Sequence, residues 1–156
     1  MSYIDVLDSE INLSGEEPAF AGGATEEVIL AFEKALSVKF PDSYKEFLRK
    51  YGALSFAGDT YYGITKNGVD AVSIPSVAFA TKSARAAGEA DDSMIVVKAS
   101  GYGPIYSIDT SITGAAGKPA VVETELSFKR KKDKKVISQD FQEFFTDMVR
   151  QAIKQL

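Results

Sequence analysis

The side chains able to do chemistry in this 156-residue chain are carboxylates, lysines, tyrosines and hydroxyls, because it contains no cysteine and no histidine. The lack of cysteine removes disulfides, thiolate metal sites and thiol nucleophiles. The lack of histidine removes the usual general base, the usual zinc ligand and every Ser-His-Asp arrangement. Among the carboxylates, Asp91-Asp92 is an adjacent pair that could hold calcium or magnesium. No EF-hand spacing surrounds it, and a solvated loop ahead of a strand is the better reading. Glu33 lies among apolar neighbours on a helical stretch. Buried, it could serve as an acid–base group; more often such a glutamate sits at the core edge and binds a backbone amide or a tyrosine hydroxyl. Gly101-Tyr102-Gly103 lacks the third glycine of a nucleotide loop and precedes a strand, and Thr113 to Lys118 lacks Walker spacing. The residues point to binding without catalysis, cofactor or metal.

Binding needs exposed aromatic anchors ringed by charge. The residues of that kind near turns in the middle of the chain are Asp59, Tyr61, Tyr62, Asp91, Asp92 and Tyr102. On a strand, one of Tyr61 and Tyr62 enters the core and the other faces away, either against a helix or as an exposed anchor.

Charge is segregated. Residues 129–135 carry six positive charges and one negative. With a net charge of −4, that stretch of +5 leaves −9 on the rest of the chain. Residues 1–33 hold eight acids and no Lys or Arg. A body so acidic repels nucleic acid and favours a basic protein partner. The basic run could bind phosphates, but without interleaved aromatics it reads as a solvated hairpin tip, and nucleic acid is the disfavoured partner.

The elements that must position these residues follow from periodicity. Tyr3, Ile4, Leu7 and Ile11 predict a short amphipathic helix, and a Gly- and Pro-rich loop follows over 13–24. Thr25 suits an N-cap for a helix bearing Ile29, Phe32 and Leu36. Phe40-Pro41 breaks it, and a second helix carries Tyr44, Phe47, Leu48 and Tyr51 up to Gly52. Asn67-Gly68 between β-prone runs predicts a hairpin. Residues 76–88 predict a helix ended by Gly88; residues 94–98, 104–108 and 119–124 predict strands. Glu125 to Phe128 and Val136-Ile137 would flank the basic tip as a further hairpin. Ser138 is the expected N-cap of a last helix with the apolar stripe Phe141, Phe144, Phe145, Met148, Ala152 and Ile153. The expectation is one α+β domain over 1–156, a mostly antiparallel sheet of about five or six strands packed with an N-terminal helix pair and a C-terminal helix. No apolar run approaches the roughly 20 residues a bilayer needs, and no signal peptide is read, so a cytoplasmic protein is expected.

The segment running from Gly23-Ala24-Thr25 through Phe32-Glu33, Phe40-Pro41, Ser43-Tyr44 and Phe47-Leu48 to Tyr51-Gly52 resembles the signature of the SUKH superfamily, named for fungal cell-wall synthesis regulators and bacterial toxin-immunity proteins. Gly103 to Asp109, Pro119 to Val122, and Ser138 with Phe141 and Phe144-Phe145 are similar to its later strands and closing helix. The resemblance implies a non-catalytic protein-binding domain that uses its sheet as a platform. Its leading implication is an immunity-type protein that binds and neutralises a polymorphic toxin, possible targets including a basic toxin domain. The alternative is a cell-wall-related regulatory scaffold with an endogenous partner. The resemblance assigns no specific contact residue.

Overall fold

Most helices begin where the sequence supplies an oxygen to their free amides. In the computed structural model, which describes residues 2–101 and 103–156, Ser2 caps α1 (Tyr3–Leu13), Thr25 caps α2 (Glu26–Leu36) and Ser76 caps α4 (Val77–Ala86). Helix α3 (Asp42–Tyr51) starts directly after Pro41, with no side-chain cap. The last helix, α6 (Phe141–Lys154), is capped by Asp140, which accepts from the Glu143 amide at 2.8 Å. Ser138 is instead the final residue of the preceding strand, too far ahead of Phe141 to reach the free amides of the first turn. Gly52 has φ 72°, and a side chain on it would collide with the carbonyl oxygens of Gly22 and Ile64.

The antiparallel strands divide into two sheets. Strands β1 (Ala19–Phe20), β2 (Leu54–Phe56) and β3 (Asp59–Tyr61) form one, in that order. Strands β4 (Met94–Ala99), β5 (Ile105–Thr113), β6 (Pro119–Thr124) and β7 (Lys135–Ser138) form the other. The Tyr62 amide donates to the Val97 carbonyl at 2.8 Å and ties the two together. The fold is α+β, with helices and sheets around a shared hydrophobic core.

That core holds the residues the helical spacing selected. Phe32, Leu36, Tyr44, Phe47, Leu48, Phe141 and Phe145 are all 0% exposed. Their rings interlock: Phe47 meets Phe145 edge-on at 5.2 Å between centroids, and Tyr44 meets Phe141 at 5.0 Å. Burial pushes the Tyr44 phenol well above its ordinary pKa, and its hydroxyl donates to the Tyr62 carbonyl. Glu33 takes the core-edge role: its carboxylate accepts the Phe40 amide at 2.7 Å and satisfies the backbone where α2 gives way to Pro41.

Two further expectations fail. Asn67-Gly68 makes no hairpin; Gly68–Asp70 is a 3₁₀ turn, and Val72 and Ile74 beyond it are exposed. The backbone before it is already committed elsewhere, Gly63 bonding with Pro75 and Val77, and Ile64 with Gly52, so no strand remains to pair. The basic run is not a protruding tip either. Phe128–Lys131 forms a helical turn, α5, within the β6–β7 connection. Phe128 is 1% exposed, and burying that ring folds the connection back onto the domain.

Candidate partner-binding site

The register of the four-stranded sheet builds a polar row. Lys98 on β4 lies opposite Tyr106 on β5, Tyr106 opposite Glu123 on β6, and Glu123 opposite Lys135 on β7. Residues opposite one another share a face of the sheet. Asp59, from the start of β3, extends the row: its carboxylate lies 3.2 Å from the Lys98 ammonium. Lys98 is only 6% exposed, and its ammonium also sits 5.5 Å from the centre of the Tyr106 ring. A cation so buried requires both neighbours.

Tyr106 is the half-buried aromatic at the middle of the row. Phe144 of α6 supports its ring at a centroid distance of 5.6 Å. Burial, then the charges of Glu123 and Glu125, push its hydroxyl pKa up, while Ser100 acts in the opposite direction. The phenol therefore stays a neutral donor beside two carboxylates. A cleft of about 400 Å³ opens beside Asp59, walled by Ala57 and by Met148, Gln151 and Ala152 of α6.

The residues singled out by sequence are distributed differently from the expectation. Asp59 belongs to the row. Tyr61 is 1% exposed and meets Phe145 edge-on at 5.0 Å; Tyr62 is 6% exposed. Neither is an exposed anchor. Tyr61 packs on α6, and Tyr62, whose amide bonds to β4, lies beside α4, so the second ring is the packed neighbour of a helix and not an exposed anchor. Asp91 and Asp92 lie before Met94, at the opposite end of β4 from Lys98, so the structure does not bring them together with Asp59. Asp91 is 2.9 Å from the Lys134 ammonium, and the exposed Asp92 offers its backbone carbonyl to Arg85. Tyr102 lies outside the described residues.

Sequence reasoning missed Lys98, Tyr106, Glu123 and Lys135 as a group. Lys98 and Glu123 each interrupt an otherwise apolar strand, which is a visible signal, but only the register places them beside Tyr106 and Lys135. Among the described residues no group of acids is arranged to hold a metal ion. The row offers fixed charges, one neutral phenol and a shallow cleft, which suit recognition of another surface.

The comparisons with known proteins agree with this architecture. No curated protein gives a significant match. A family model described as SMI1-KNR4 cell-wall, SUKH_6, matches residues 26–145, from the start of α2 into α6 and through every residue of the row. The chain therefore belongs to the SUKH, or SMI1-KNR4 cell-wall, family.

Proposed function

We propose that this protein is a non-catalytic binding domain of the immunity type, which occludes the active cleft of a basic toxin domain with the exposed part of its four-stranded sheet. The observation that carries the reading is the row Asp59–Lys98–Tyr106–Glu123–Lys135, an aromatic flanked by charges whose positions are set by strand register. Tyr106 supplies contact area at low entropy cost, and Glu123 and Glu125 beside it meet lysine or arginine of the partner. The charge of −9 outside residues 129–135 steers such a partner to the domain. The exposed Asp92 adds to that field from the far end of β4.

The test is co-expression with a toxin domain encoded beside this gene, scored by survival and by co-purification. Protection by the wild type, lost in Tyr106→Ala with Glu123→Lys, supports the reading. A wild type that neither binds nor protects, while a pull-down from its own cells recovers an endogenous partner, favours the regulatory-scaffold alternative.

A further inference from the structure

The basic turn that sequence alone left as a solvated tip is a built surface. Phe128 anchors it in the core, and the Lys132 ammonium sits 4.8 Å from the centre of the Phe128 ring. Lys134 pins its far end, reaching Asp109 at 2.7 Å and Asp91 at 2.9 Å. Asp109 alternates with Tyr106 along β5, so this pin lies on the sheet face turned away from Tyr106 and α6. Lys129, Arg130, Lys131 and Lys132 are exposed and pair with no carboxylate among the described residues. They are held at the surface with their charge uncompensated.

The complementary surface is on the same chain. In the N-terminal segment, Asp8, Glu10, Glu26 and Glu33 are each paired with a cation. Asp5, Glu16, Glu17 and Glu27 are exposed and have no such partner among the described residues. Helix α1, which carries Asp5 and leads into Glu16 and Glu17, packs against α6, on the Tyr106 side of the sheet, and the Lys134 pin of the basic turn lies on the other face. Each surface also carries an exposed leucine, Leu126 at 69% beside the basic turn and Leu13 at 87% beside Glu16 and Glu17.

We propose that the basic turn of one molecule docks on the acidic N-terminal surface of a second copy, giving a head-to-tail association that is independent of the partner-binding row. Two different surfaces meet, so the contact is heterologous and does not close at a dimer. It rests on charge and therefore weakens with salt.

Sedimentation velocity over a concentration series up to about 1 mM, at ionic strengths of about 0.02 and 0.5 M, tests it. Wild type is expected to sediment faster with concentration at low salt and as a monomer at high salt. Lys129→Glu/Arg130→Glu/Lys131→Glu and Glu16→Lys/Glu17→Lys, both confirmed as folded by circular dichroism, are each expected to lose association by about tenfold or more. Mixed together they associate again, because each turn then meets a surface of opposite sign on the other variant. A wild type that stays monomeric at low salt overturns the proposal, as does association that survives both sets of changes or a mixture that fails to pair. Salt-sensitive binding of duplex DNA or of anionic lipid vesicles by the monomeric wild type would assign the basic turn to those polyanions instead.

Discussion

The Lys134 ammonium donates to the Asp109 carboxylate at 2.7 Å, and Asp109 is 0% exposed. The same carboxylate accepts from the Ser93 hydroxyl at 2.9 Å and from both the hydroxyl and the amide of Ser111 at 2.7 and 2.9 Å. The pair joins the middle of the four-stranded sheet to the β6–β7 connection, so the fold of the basic turn depends on a residue of β5. Removing one member leaves the other charge without its partner. Lys134→Met is expected to cost about 3–5 kcal/mol in urea unfolding, with Lys134→Met/Asp109→Asn recovering part of it. A single variant within 0.5 kcal/mol of wild type (about the scatter of surface changes) would show that the pair does not hold the turn.

Burial on its own raises the Asp109 pKa, but the bonds from Lys134, Ser111 and Ser93 together outweigh it and hold the carboxyl below the usual aspartate range. A carboxyl depressed in the folded state stabilises fully above its unfolded value of about 3.9, and that contribution is lost as pH falls through the lower folded value. Thermal melts from pH 7 to pH 2 should therefore fall less steeply at the acid end for Asp109→Asn than for wild type. Parallel curves would contradict this linkage.

Phe47 lies at the centre of the aromatic cluster, facing Tyr44, Tyr51, Phe141 and Phe145. Phe47→Ala is expected to cost about 3–5 kcal/mol, because rigid neighbours on several sides cannot collapse into the space. The check is chemical denaturation. A loss under 1 kcal/mol would mean that the cluster repacks freely.

Gly63 is constrained by space rather than by its φ. A Cβ there would overlap the Gly52 carbonyl, which itself accepts the Ile64 amide at 2.9 Å. Gly63→Ala must push α3 away from the segment that follows β3. The expected loss is about 1–3 kcal/mol, with amide exchange quickened at Tyr62 and Ile64. Unchanged protection there would show that the backbone yields elsewhere.

At the row, Tyr106→Ala should speed dissociation from a recovered partner at a cost above about 1 kcal/mol, leaving association nearly unchanged. Asp92→Asn should do the reverse, slowing association at low salt and mattering less at high salt. Surface plasmon resonance at two ionic strengths separates the two. Identical kinetics for Tyr106→Ala and wild type would move the interface off this face.

The sequence by itself determined the helices, their stripes and much of the core. Apolar spacing at three and four residues, Thr25 ahead of two glutamates, and Pro41 and Gly52 at the limits of α3 are local signals. Local hydrogen bonding and sterics satisfy them, so Phe32, Leu36, Tyr44, Phe47 and Leu48 were legible as core. The family resemblance is readable for the same reason, since Phe32-Glu33, Phe40-Pro41, Ser43-Tyr44 and Phe47-Leu48, which carry much of it, belong to that helix pair and its junction. Only the tertiary structure decided the rest. Alternation tells which residues of one strand share a face, but not which residue of the next strand stands opposite, so Lys98, Tyr106, Glu123 and Lys135 became a row only through register. The burial of both Tyr61 and Tyr62 needed α6 packed on one and α4 packed beside the other. The basic run looked solvated because six of its seven side chains are cations. Its fold is set by Phe128 on one side and by a carboxylate 25 residues away on the other, a long-range pairing that no local pattern encodes.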